Sequence, residues 1–424
     1  VGGFLKESYF LSEAIGSGVS FIEDPSKSKA PSSIFELAKT LKKIHDSGLF
    51  HQDLHAGNFL WNGDSLFLTD LHRAKILKTL SLHQRLWNLS QLFHSLRSSW
   101  EEEERIQFVE KYFEGEPIYS QDQERWLQKI RTFMDRLQKR QWRSRTKRCL
   151  KESTEFSMGK EKGVCYYYQR EFPLDRIKRV IEEHQNLLKE KPFLLVKNAP
   201  EVAVSILDDD RGKICVKQFR YPYVLGRMKE YFRRSKGLKS WIAANGLRTR
   251  GIPSIKTLAM VERRGWLGRR ESFLLMETFV ENQEMDRYIL RGFKDLDEKM
   301  LFIKSFAQWL SDFHKMNLYH KDMKSCNILV SEKGETWDFY PLDMEDILLD
   351  EKVDKKKLFK SFIQLNTSTP KVMTRTDRLR FYNEYVRLNP IIRNGRDFLR
   401  RLMEESKGRD LIYVSPQGVV VERM

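Results

Sequence analysis

No apolar run in the sequence approaches the roughly 20 residues that a membrane-spanning helix requires; stretches such as Phe193–Val196 and Phe273–Met276 are far shorter. A soluble or peripheral protein is expected. The chain begins at Val1 and lacks a charged segment followed by an apolar core, so no signal peptide is read, and its natural start is expected to lie outside these residues. Cysteine is scarce. Cys149, Cys165, Cys215 and Cys326 form no C-x-x-C pair and have no histidine at zinc-ligand spacing. Neither a metal cluster nor a disulfide framework is expected, and reduced thiols point to a cytoplasmic setting. Negative charge is in deficit: 76 Lys and Arg face 59 Asp and Glu, for a net charge of +17. Such a balance attracts nucleic acid, an anionic membrane or a phosphorylated substrate, or simply solvates a basic surface. Nothing suggests disorder, because 40% apolar residues over 424 positions suffice for two or three domains with real cores.

What the chain does contain is one short pattern twice. His51-Gln-Asp53-Leu-His55-Ala-Gly-Asn58 returns as His320-Lys-Asp322-Met-Lys324-Ser-Cys-Asn327. Each has a His, an Asp two places on, and an Asn five residues beyond that Asp. Phosphoryl transfer uses such a set: the Asp accepts the proton of an attacking hydroxyl and the Asn holds a magnesium ion. Each loop follows a helical pattern. Ile34, Leu37, Leu41 and Ile44 recur at helical spacing with Ser33 as N-cap and Gly48 as stop; Phe302, Phe306, Leu310 and Phe313 do the same before the second loop. Each loop also precedes a hairpin that ends on an acid, Asp70 and Asp343. The two histidines read as packed scaffold residues, and an isolated strand-end Asp is usually a turn former. The repeated spacing makes the metal-ligand reading the better one.

Residues 80–140 read as helices whose apolar faces are core. A basic stretch, Lys139–Arg148, reads as a solvated helix face and linker, and a domain boundary is placed near residue 145. The chain then turns strand-rich, with strands expected at 163–170, 193–197, 202–207 and 213–220 and a helix over 174–189. Lys217 sits in the last of these strands. Glu13 and Glu277 precede Asp53 and Asp322 by forty and forty-five residues, so the order strand with terminal Glu, helix, loop, hairpin and Asp occurs twice.

Both halves resemble the protein-kinase-like fold, in particular the bacterial lipopolysaccharide kinase family, which phosphorylates Kdo or heptose sugars. HQDLHAGNFLW and Leu68-Thr-Asp-Leu-His-Arg73 carry the likeness most closely. The resemblance implies an α+β architecture of two kinase-like domains. The first, residues 1–145, would hold only the hinge and helical C-lobe and be truncated at its N-terminal side. The second, 146–424, would have an antiparallel-sheet N-lobe over about 146–280 and a helical C-lobe over about 281–424. It further implies ATP and Mg2+ as cofactors. Asp53 and Asp322 match the catalytic base; Asn58, Asp70, Asn327 and Asp343 match the metal ligands. Lys217 matches the phosphate-holding lysine, Glu13 and Glu277 fall at the hinge that meets adenine, and His55 and Lys324 lie beside the transferred phosphoryl group.

The implied function is ATP-dependent phosphorylation of a sugar hydroxyl in the lipopolysaccharide inner core. The alternative is a pseudokinase or scaffold with one or both halves inactive. The expected partner is lipopolysaccharide or another lipid-linked sugar, met by a cytoplasmic protein in peripheral contact with the anionic inner face of the membrane; nucleic acid is not expected. Three departures stand against full activity. No G-x-G-x-x-G precedes Lys217, the turn Asp208–Gly212 is acidic where phosphate would lie, and the nearest glutamate partner for Lys217 is Glu230. The first half, for its part, offers no phosphate lysine.

Overall fold

The computed structural model describes residues 18–23, 28–62, 65–116, 122–210, 212–221, 233–265, 268–278, 283–392 and 394–423. Glu13, Glu230 and the strand expected before Gly16 lie outside them. The chain divides into two compact units, Val1–Gln141 and Trp142–Met424.

In the first unit the helix Pro31–Asp46 buries Ile34, Leu37, Ala38, Leu41 and His45 along one face, the i, i+3, i+4 stripe of a helix packed on a core. Its N-cap is Ala30, with Pro31 in the first turn, so Ser33 lies inside the helix rather than capping it; proline's missing N–H costs nothing where no intrahelical acceptor exists. Gly48 ends the segment at φ +81°, and a Cβ there would collide with the Leu77 carbonyl oxygen. That exit leads into the strand Leu49–His51, which pairs with Ala74–Ile76. The hairpin Phe59–Asn62 with Ser65–Leu68 follows the loop. Leu89, Phe93, Phe108 and Tyr112, from the helices Leu82–Ser95 and Glu102–Tyr112, and Trp100 between those helices complete the core.

The second unit opens with a seven-stranded antiparallel sheet. Its spatial order is Phe156–Glu161, Val164–Gln169, Thr257–Gly265, Gly268–Glu277, Gly212–Arg220, Val202–Asp209 and Lys197–Ala199. The strand expected at 193–197 is instead a short 3-10 turn, Pro192–Leu194, with Phe193 and Leu194 exposed; the pairing strand starts only at Lys197. The helix Leu174–Glu190 lies on the sheet through Ile177, Val180 and Ile181, which cluster with Ile214, Val216 and Leu275. Strand alternation decides the rest. With Ile214 and Val216 on that face, Cys215, Lys217 and Phe219 point to the opposite one, where Phe219 joins the larger core with Trp241 and Leu274. There the helix Lys236–Arg248 packs, capped by the Ser235 hydroxyl, which accepts from the Leu238 N–H.

Beyond the sheet, the helix Leu296–Lys315 buries Phe302, Phe306, Leu310 and Phe313 and delivers the chain to Tyr319–His320. The hairpin Ile328–Lys333 with Thr336–Pro341 follows, then the helices Lys355–Asn366, Arg375–Leu388 and Gly395–Lys407 and a terminal hairpin, Asp410–Ser415 with Gly418–Arg423. Antiparallel sheet and helical lobe together give the second unit the α+β, kinase-like architecture. The described part of the first unit has helices with a three-stranded and a two-stranded sheet, and no counterpart of the seven-stranded one.

Candidate functional site

The two loops share several hydrogen bonds. In the second unit, His320 Nδ1 accepts the Asp322 N–H at 3.1 Å and Nε2 faces the Leu342 carbonyl at 2.9 Å. With Nδ1 accepting, Nε2 is the nitrogen that donates to the carbonyl. His51 repeats the arrangement with the Asp53 N–H at 3.3 Å and the Asp70 carbonyl at 3.1 Å. Neither histidine is placed to act as a base; each ties the start of its loop to the strand end carrying the later Asp. A second pair of contacts recurs as well. Gln91 and Gln364 donate to the Gln52 and Lys321 carbonyls at 2.8 and 2.9 Å, and the Ser95 and Ser368 hydroxyls each accept a loop N–H at 2.9 Å.

Asp70 and Asp343 share a backbone state found in few residues. Their φ, ψ values are 63°, 41° and 46°, 50°, in the left-handed region. Asp tolerates this better than most side chains, yet the cost is about 1 kcal/mol or more. That the same strain recurs at matched positions supports a functional reason for it.

The side chains differ sharply between the units. In the second, Lys217 Nζ donates to Asp343 Oδ1 at 2.6 Å and to Glu345 at 2.9 and 3.2 Å. Burial would pull the lysine's pKa down, but the two carboxylates outweigh it and hold the pKa above the ordinary value. Burial likewise opposes ionisation of Asp343, yet Lys217 keeps its carboxyl below the usual range, so the pair is ionised. Asp322 receives Lys324 Nζ at 3.0 Å, Gln364 Nε2 at 3.2 Å and Asn327 Nδ2 at 3.2 Å. Asn327 also donates to the Asp322 carbonyl at 2.8 Å. Its amide nitrogen is thereby committed, and among the described residues its oxygen meets only the Cys326 thiol at 3.8 Å. A free carboxamide oxygen and the Asp343 carboxylate are hard oxygen donors, which fit Mg2+ completed by water and phosphate oxygens. No cage of three or more His, Cys, Asp or Glu occurs among the described residues, and such a two-ligand site needs none.

In the first unit the loop residues also come together, but their charges are already engaged. Arg73 donates to Asp53 at 2.8 Å and Asp70 is paired with His72. Both side-chain atoms of Asn58 are buried without a hydrogen-bond partner. Of the two metal-ligand candidates Asp70 is engaged by His72 while Asn58 is unpartnered, and no strand lysine reaches them among the described residues. His55 is exposed and lines, with Asp53, Gln91, His94 and Arg97, a cavity of about 370 Å³.

Glu277 ends its strand with its side chain paired to Lys256 at 2.9 Å, leaving only backbone groups for a hinge role. The acidic turn carries less exposed charge than its sequence suggests. The Asp209 carboxylate is buried and paired with Arg176 and Arg179 of the helix Leu174–Glu190. Three partners escaped sequence reasoning: Glu345, Ser240 and Gln364. The first had a signal, since Glu345 stands two places after Asp343 where His72 stands after Asp70.

The lipopolysaccharide kinase (Kdo/WaaP) family pattern matches residues 20–112 and 228–385, together more than half of the chain. The chain belongs to this family. Each matched segment of this lipopolysaccharide kinase family member contains one loop with its later Asp, whereas Lys217 lies outside both. No curated protein is significantly similar to it. Among solved structures it is similar to "WaaP in complex with acyl carrier protein", at 20% identity and a TM-score of 0.40, over 50% of this chain and 87% of that one. No helix among the described residues is long and apolar enough to cross a membrane.

Proposed function

We propose that this family member transfers the γ-phosphoryl group of ATP to a hydroxyl of an inner-core sugar, Kdo or heptose, of lipopolysaccharide, and that residues 142–424 do so. The observation that carries the reading is Lys217 at 2.6 Å from Asp343, which joins a phosphate-holding cation to a metal-ligand candidate in the unit that also holds Asp322 and Asn327. Asp322 orients the sugar hydroxyl and takes its proton as the new O–P bond forms and the bond to the β-phosphate breaks, releasing ADP. Lys217 holds the α- and β-phosphates and Lys324 faces the group in transfer. Asn327 and Asp343 would hold Mg2+, which when bound neutralises charge on the phosphate oxygens.

The first unit supports a second reading for itself. With Asp53 bound by Arg73 and Asp70 by His72, it acts as a non-catalytic partner whose polar cavity beside Asp53 suits a glycan. The test is ATP turnover on native and delipidated lipopolysaccharide by the whole chain. Asp322→Ala is expected to lose about 10²–10⁴-fold, and Asp53→Ala to stay within a few-fold of the parent. Full activity in both variants, or loss confined to Asp53→Ala, would overturn the assignment.

A further inference from the structure

Lys217 is a buried cation, and the kinase arrangement described above for ATP would require a carboxylate to aim it at the phosphates. In such folds a glutamate on the helix after the lysine strand serves. The first described helix after that strand, Lys236–Arg248, contains no acidic residue. Two other carboxylates reach the lysine, and they differ in freedom. The Asp343 side chain is 48% exposed and is also the metal-ligand candidate, so its oxygens have a competing task once nucleotide arrives. Glu345 is 13% exposed, places both oxygens on Lys217 at 2.9 and 3.2 Å, and accepts the Ser240 hydroxyl at 3.1 Å. Ser240 is itself fully buried and sits on the helix Lys236–Arg248. The helix therefore contributes a hydroxyl, and the turn Met344–Asp346 contributes the acid.

The described residues of the other unit hold neither this acid nor such a lysine. At the place matching Glu345 it has His72, which pairs with Asp70 instead, and no described lysine there requires an anchor. From this juxtaposition we infer that Glu345, seated by Ser240, is the positioning residue for Lys217, replacing a helix glutamate with one carried two residues after the metal-ligand aspartate. The inference rests on the phosphoryl-transfer reading, since it assumes that Lys217 holds nucleotide phosphates.

The test is calorimetric MgATP binding by the full chain, with thermal unfolding of each variant as a check on folding. Lys217→Ala sets the scale of complete loss. Glu345→Gln keeps the shape and removes the charge, and it is expected to weaken binding at least about tenfold, the usual cost of a lost charge-assisted hydrogen bond. The exchange Ser240→Glu with Glu345→Ser returns the acid to the helix and is expected to recover affinity to within a few-fold of the parent; a merely structural role would not be rescued in this way. Parent-like binding by Glu345→Gln, with Lys217→Ala impaired, overturns the inference and leaves the proposed function standing. Absence of MgATP binding by the parent chain overturns the proposed function, and this inference with it.

Discussion

His45 and His314 occupy matched places near the C-terminal ends of the helices that lead into the two loops, and both are buried and neutral. A tyrosine hydroxyl meets Nδ1 in each case, Tyr112 at 2.5 Å and Tyr385 at 2.7 Å. His45 Nε2 also meets Asn88 Oδ1 at 3.2 Å, and the same Asn88 donates to the His51 carbonyl at 2.6 Å, so the buried ring helps to hold the loop. Burial pushes His314 down to about 3 and His45 to about 4. For His45, the nearby Arg85 adds to the lowering, while the Asn88 bond and Asp46 oppose it. The unfolded chain binds these two protons near pH 6.5, whereas the folded chain resists them until much lower pH. The stability they contribute is therefore complete above about pH 6.5 and is lost as pH falls towards 4 and 3, by about 1.4 kcal/mol per pH unit for each ring. Urea midpoints should fall between pH 7.5 and 5, and the slope should flatten in His45→Phe and His314→Phe. Midpoints that stay level in the parent would contradict this account.

At the scale of elements, the helix Leu174–Glu190 sets the strand that carries Lys217. His184 is buried between the Ser205 hydroxyl at 2.6 Å and Gln218 Oε1 at 3.3 Å, which fixes the helix to the two strands Val202–Asp209 and Gly212–Arg220. Ile177 is fully buried in the cluster containing Val216, next in sequence to the lysine. Ile177→Ala should cost about 2–4 kcal/mol of second-unit stability, measured as the shift of its urea transition. A shift under 0.5 kcal/mol, on the order of an exposed substitution, would show that the helix does not support the sheet. The same helix accounts for the acidic turn, because Arg176 and Arg179 compensate Asp209 and lessen the repulsion that the sequence alone suggests.

For the whole molecule, the net charge of +17 is the basis of the expected peripheral contact with an anionic membrane surface. Part of that charge surrounds a cavity of about 380 Å³ in the second unit, lined by Lys147, Arg234, Lys239 and Lys321 among others. Basic residues near such a surface contribute about 1 kcal/mol each, within a Debye length. The chain should sediment with anionic vesicles at low salt and release at high salt. Failure to sediment at low salt would overturn the expected peripheral contact.

By itself the sequence determined the two loops, their later aspartates and the helices that lead into them, because these depend on spacings of a few residues and on one-dimensional periodicity. It also carried the family likeness, and the alternation that turns Lys217 away from Val216. Only the tertiary structure decided which side chains the two loops are paired with. Arg73 reaches back to Asp53 across a turn, and Lys217 finds Glu345 from 128 residues away. Such pairings follow from how strands and helices stack, and side-chain charge has no fixed period along a chain from which they could be read.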